Sequence, residues 1–203
     1  MATLQDVRER IKSDMAITGS IYDVQIDDAI RSALRELRGR KFWFLEAVGT
    51  TTIPSGSAGG ALPSDFGNPG SFSLITGGLW LGDGNGFDFL SLEKLKQDYW
   101  NTFPIPTGQP EACSIVNRTL YSSHTADQDY TVSLFYFRQD AAPPTAAETS
   151  VWFDDGYDVV RSKAQYIFKR DSQQYTVSEA DGDMADMHMK TLERRHERYE
   201  AGR

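Results

Sequence analysis

The chain has 203 residues, of which 39% are hydrophobic, 12% aromatic and 25% charged; that is enough to bury a core and too apolar for a disordered chain. The longest apolar runs are too short to span a bilayer, and the single cysteine, Cys113, excludes an internal disulfide. The net charge of −8 is uneven: residues 1–47 carry 8 basic and 8 acidic side chains, residues 48–150 carry 4 and 10, and residues 151–203 carry 9 and 11, so the middle is poor in the cations that neutralise nucleic-acid phosphates.

At the N-terminus no basic segment precedes an apolar stretch, so no secretory signal is expected. Thr3 to Asp6 reads as a capping-box helix start, with the helix running to about Met15. Gly19-Ser20 breaks it. Asp23 is the expected N-cap of a second helix. Its stripe of Ile26, Ile30, Ala33, Leu37 and Phe44 keeps helical spacing, and the helical stretch is expected to reach Ala47.

From Val48 the pattern turns to β. Thr50 to Ile53 favours a strand, and Pro54 to Gly60 a flexible loop. Phe72–Ile75, Leu79–Leu81 and Phe87–Leu90 are short strand candidates, with turns at Gly77-Gly78 and Gly82 to Gly86. Ser91 is expected to cap a short helix reaching about Asn101. Pro104 to Pro110 reads as an extended connector. Strands are expected at 112–116, 119–122 and 130–137, and a linker at 138–150. Helix returns at Val151, capped by Asp154 or Asp155, with Val160, Ala164, Ile167 and Phe168 on its buried face. After a break near 173–176, a last helix runs to about Glu200 on a thin stripe of Met184, Met187, Thr191 or Leu192, and Tyr199.

No constellation in the chain supports enzymatic chemistry, and no cofactor or metal is expected. The histidines His124, His188 and His196 lie in no zinc-ligand spacing. Gly82 to Asp88 faintly resembles a calcium loop, but the twelfth position from Asp83 is Lys94 rather than a carboxylate. No base stands near Cys113, which reads as a small buried apolar residue. Asp154, Asp155 and Asp158 open a helix, where each complements the macrodipole by about 0.3–1 kcal/mol. The knot Phe42, Trp43 and Phe44, with Trp152, is a core cluster or a subunit interface. The last helix, with Arg194, Arg195, His196, Arg198 and Arg203, is a docking element or a solvated face.

The order of these blocks resembles the head–tail adaptor (connector, or head completion) proteins of tailed bacteriophages. The blocks are Ile26 to Arg38, Phe42 to Ala47, the Thr-rich strand, Leu62 to Phe66, Gly108 to Pro110, the Tyr-rich strand Tyr130 to Tyr136, and Val151 to Gly156 opening the helix of Ala164. They cover about residues 26 to 170. The resemblance implies a structural virion protein at the neck, assembled in the host cytoplasm into a homo-oligomeric ring, usually a dodecamer. Its implied partners are the portal ring and tail or nozzle proteins, with genomic DNA passing through the lumen without specific binding and no membrane involved. It assigns portal docking to the C-terminal helix. Met187, Leu192 and Tyr199 are expected to enter the portal cleft, and Arg195 and Arg198 to meet acidic groups around it. That helix is expected to be mobile before assembly.

The fold expected is α+β: a helical bundle from both chain ends, residues 1–47 and 151–203, with an inserted β-rich, sandwich- or barrel-like domain and linker at 48–150. The alternative function is a β-sandwich module that recognises a carbohydrate or host surface through Trp80, Trp100 and Tyr121.

Overall fold

The computed structural model describes residues 2–76, 79–81, 88–101, 104–139, 145, 147–172 and 175–202, with the backbone alone at 68–76 and 79–81. Its helices are α1 (Leu4–Asp14), α2 (Asp23–Leu37), α3 (Leu92–Asp98), α4 (Tyr157–Asp171) and α5 (Glu179–Ala201). Its strands are β1 (Glu46–Ile53), β2 (Gly59–Ala61), β3 (Phe66–Thr76), β4 (Leu79–Leu81), β5 (Asp88–Phe89), β6 (Ala112–Val116), β7 (Thr119–Ser122) and β8 (Tyr130–Arg138). The fold is α+β. The chain divides into two compact units, one of Met1–Leu45 with Gln139–Arg203, the other of Glu46–Arg138.

The helical unit is tied together from both chain ends. The Leu4 N–H donates to the Glu148 carbonyl at 3.1 Å, and the Ala2 N–H donates to Asp154 Oδ1 at 3.2 Å. Thr3 caps α1 as its sequence predicts: the Asp6 N–H donates to Thr3 Oγ1 and the Thr3 N–H to Asp6 Oδ2. Leu4, Val7 and Ile11 of α1 are buried at helical spacing, with Ile26, Ile30, Ala33 and Leu37 of α2 and Val160, Ala164, Ile167 and Phe168 of α4. Ion pairs brace the helices at their margins: Arg8 with Asp27 at 2.9 Å, Arg161 with Asp14 at 3.2 Å and Lys163 with Glu36 at 2.8 Å.

Three expectations are corrected here. Helix α2 stops at Leu37 instead of reaching Ala47. Gly39 follows the C-cap with φ +85°, a left-handed conformation that ends helices and that glycine adopts without strain. Phe44 therefore leaves the α2 stripe for a 3-10 turn, Trp43–Leu45, and Glu46 and Ala47 begin β1. Asp23 does not cap α2. The cap position is Tyr22, and the Asp23 carboxylate accepts from Lys12 Nζ at 2.9 Å. Neither Asp154 nor Asp155 caps the returning helix. Ser150 caps a 3-10 turn, Val151–Phe153, and α4 begins only after Gly156. A Cβ on Gly156 would lie 2.5 Å from the Trp152 ring, so the chain bends around the indole before helix can start.

The β unit holds two four-stranded sheets, in orders β1-β8-β3-β4 and β2-β7-β6-β5. All pairings are antiparallel except β5 with β6. Both sheets feed one core of Ile53, Phe66, Cys113, Leu120, Ala126, Tyr130, Val132, Leu134 and Tyr136. The alternation expected along Tyr130 to Tyr136 sets which face of β8 enters it. Tyr136 keeps its hydroxyl paired with Asp65 at 2.8 Å, and burial, then Asp65, pushes its pKa up to about 12. Ser91 caps α3 by accepting from the Lys94 N–H at 3.2 Å. The expected loop 54–60 ends in strand β2, because the bare glycines Gly59 and Gly60 let this segment press against the backbone of Leu120 and Thr52. The turns expected at Gly77-Gly78 and Gly82 to Gly86 lie outside the described residues.

Candidate docking surfaces

The aromatic knot lies in the helical unit. Phe42 and Trp152 are buried, and Trp43 and Phe44 are half-buried. Phe44 meets the Trp152 ring edge-on at 5.1 Å between centroids, and Phe42 does so at 5.7 Å. Phe42 stacks with Phe44 at 5.6 Å. The two edge-on contacts with Trp152 place ring edges on ring faces, and both these and the stacked pair add to the burial energy.

Helix α5 is seated on this knot. Leu192 is only 3% exposed. The His196 ring lies 5.6 Å from Phe42 and 6.2 Å from Trp43, and Tyr199 lies 6.1 Å from Trp43. The Arg195 guanidinium stands 5.2 Å over the Trp43 ring and 3.5 Å from Asp155 Oδ1. Glu193 reaches Arg40 at 3.5 Å. Nearer the helix start, Ser178 and Asp181 form a capping box, and Lys169 donates to Asp181 at 2.7 Å. Burial alone would raise the Asp181 pKa, but the hydrogen bonds from Lys169 and Ser178 outweigh it and hold the carboxyl below its ordinary value. His188 Nδ1 lies 3.1 Å from Ser162 Oγ. That hydroxyl already donates to the Asp158 carbonyl, so it accepts from His188. The free helix expected from the thin stripe is thus packed along α4 and the knot.

The structure splits the five residues expected to dock. Leu192 faces inward, and Arg195 and Tyr199 border the knot. Met187, 56% exposed, and Arg198 face outward. Two stripes therefore run along α5. The inner one is His188, Leu192, His196 and Tyr199; the outer one is Met184, Met187, Thr191, Arg194 and Arg198, all exposed. Hydropathy alone missed the inner stripe because half of it is imidazole, which counts as polar but packs as a ring.

A second surface is a groove of about 450 Å³ between α2 and α4. Ala29, Ile167 and Phe168 supply its apolar floor, and Tyr22, Asp28 and Asp171 its walls. Ile21 and Val24, beside it in sequence, are 79% and 71% exposed. Nothing in the sequence periodicity announced this groove, since Ile21 and Val24 fall off the core stripe of α2.

The remaining candidates have structural partners. Asp154, Asp155 and Asp158 pair with the Ala2 N–H, Arg195 and Arg161. Cys113 is buried, and burial pushes its thiol up to about 12. Among the described residues no group of His, Cys, Asp or Glu could hold a metal, and no helix is long and apolar enough to cross a membrane. Trp100 and Tyr121 do meet, edge to face at 6.0 Å, beside Gly59 and Gly60. The hollow they line has no carboxylate or amide side chain among its described lining residues to hold sugar hydroxyls. The side chain of Trp80 lies outside the described residues.

No curated protein matches the chain. A family model described as SU10 adaptor protein matches residues 2–200, nearly the whole sequence. The chain belongs to this family of structural adaptor proteins of bacteriophages.

Proposed function

We propose that the chain is one subunit of a homo-oligomeric, dodecameric ring between the portal and the tail, where it lengthens the DNA channel at the neck of the virion. The observation that carries this reading is the family match over residues 2–200. The ring is assembled in the host cytoplasm, and its tail-side partners are tail or nozzle proteins. Genomic DNA passes the lumen without specific contact, in keeping with the scarcity of Lys and Arg at residues 48–150. The chain performs no catalysis; its work is mechanical fit.

The portal contact falls to the C-terminal end of α5. Arg198 faces outward there, and Tyr199 is 39% exposed at the rim of the aromatic knot. Of the other residues expected at this contact, Leu192 and Arg195 hold the helix in place, and Met187 lies three turns back. A basic rim beside an aromatic ring suits an acidic-edged cleft, with the charge guiding encounter more than adding affinity. The test is co-sedimentation of the purified chain with portal rings. The wild-type chain should pellet with the rings, and Arg198→Glu should pellet poorly while melting near the wild-type temperature; adding Tyr199→Ala, which also gives up the Trp43 contact, should weaken pelleting further. Wild-type protein that stays in the supernatant would overturn the reading.

A further inference from the structure

We propose that the groove between α2 and α4 is the seat for α5 of a second copy of this chain, entered by the outer stripe Met184, Met187, Thr191 and Arg194. The inference rests on the ring reading above and assigns the seam between subunits.

Three observations point to this occupant. The first is reach. The stripe spans residues 184 to 194 and the α2 wall of the groove spans Tyr22 to Ser32, each about 15 Å of helix at 1.5 Å per residue. The second is chemistry. The groove offers an apolar floor at Ala29, Ile167 and Phe168 and carboxylates at Asp28 and Asp171. The stripe offers two exposed methionines, side chains that adapt to irregular hollows, flanked by Asp183 and Asp186 at its start and by Lys190 and Arg194 at its end, so only that end is basic and it is the end set against Asp28 and Asp171. Asp28 and Asp171 each pair locally, with Arg31 and Arg170. Surface pairs of this kind contribute little and admit a second cation.

The third observation is placement. Within one chain, α4 turns Ser162 and Lys169 toward its own α5, while Ile167, Phe168 and Asp171 line the groove on another side. Stripe and groove therefore occupy different faces of one unit and can meet only between copies. A contact that joins two different faces is heterologous, the kind that generates a ring when the rotation between neighbours closes. Four side chains of one helix fall well short of the roughly 800 Å² per partner of a stable pairwise interface. Isolated chains then stay apart, and a template that gathers them closes the seam.

Paired cysteines test this on the full chain. Met187→Cys and Gln25→Cys are made as separate variants; both positions are exposed, and the native Cys113 is buried. Under mild oxidation, alone at high concentration and on portal rings, the two variants mixed should give heterodimers well above the homodimers of either variant by itself. Adding Asp28→Arg and Asp171→Arg to the Gln25→Cys chain places like charges together and should cut that yield about tenfold. Lys190→Glu with Arg194→Glu on the other chain should restore it. A mixture that cross-links no better than either variant alone, in both settings, overturns the inference. So does a chain carrying Asp28→Arg and Asp171→Arg that completes rings on the portal as wild-type does, and that result leaves the adaptor reading standing. Failure of the wild-type chain to assemble on portal rings removes both.

Discussion

The Arg195 guanidinium lies 5.2 Å from the centre of the Trp43 ring, joining the last helix to a turn more than 150 residues earlier in the chain. Leu192, His196 and Tyr199 flank this contact on the same face of α5. The helix is thus part of the packed unit. Leu192→Ala should destabilise by about 2–5 kcal/mol, the range for a buried leucine that leaves a cavity. Trp43→Ala, at a half-buried site, should cost about 2 kcal/mol through lost packing and cation–π contact. Truncation before Ser178 should lower the melting temperature by about 5 °C or more. Thermal melts followed by circular dichroism read all three, and a truncated chain that melts with the wild type would show that α5 contributes nothing to the unit.

Gly39 and Gly156 are needed for different reasons, so alanine should separate them. At Gly39 a Cβ has open space but the backbone is left-handed, and Gly39→Ala should cost about 1 kcal/mol. At Gly156 the new methyl group meets the Trp152 ring. Gly156→Ala should cost more than Gly39→Ala in urea unfolding and change the near-ultraviolet dichroism of the tryptophans, which Gly39→Ala should leave alone.

The start of α5 should loosen in acid. The Asp181 pKa is lower in the folded chain than in the unfolded one, through its bonds to Lys169 and Ser178. Its contribution is therefore complete above the unfolded carboxylate value, about 4, and is lost as pH falls through the folded value. The melting temperature of wild-type protein should fall more steeply below about pH 4 than that of Asp181→Asn, which lacks the titrating group. Parallel curves for the two proteins would contradict the assignment.

Cys113 should be inert in the native chain. Its thiol is buried and pushed up to about 12, so almost no thiolate exists near neutral pH. A thiol reagent at about pH 8 should leave it unmodified until denaturant is added. Modification at the same rate in both conditions would mean that the β unit opens freely.

Duplex DNA should not bind the full chain with micromolar affinity at physiological salt. Residues 48–150 carry 4 basic against 10 acidic side chains, leaving few phosphate counterions to release. Fluorescence anisotropy with a labelled duplex, at low and physiological salt, provides the check.

The sequence alone determined the local features of this protein. The capping box at Thr3, the core stripe Ile26-Ile30-Ala33-Leu37 and the alternation along β8 depend on neighbours within a few residues, and periodicity reports such neighbours directly. The ordered blocks from Ile26 to Ala164 were also enough to point to the adaptor family. Only the tertiary structure decided the rest. The end of α2 at Leu37 depends on a left-handed Gly39 that propensity treats as a mild cost within a helix. The conversion of Gly59 and Gly60 from loop to strand depends on the backbones of Leu120 and Thr52, some sixty and eight residues away. The seat of α5 depends on rings at 42–44 and 152 that meet His196 and Arg195 only after the chain has folded back. Hydropathy scores imidazole and guanidinium as polar wherever they stand; a folded neighbour with an aromatic face makes them packing groups.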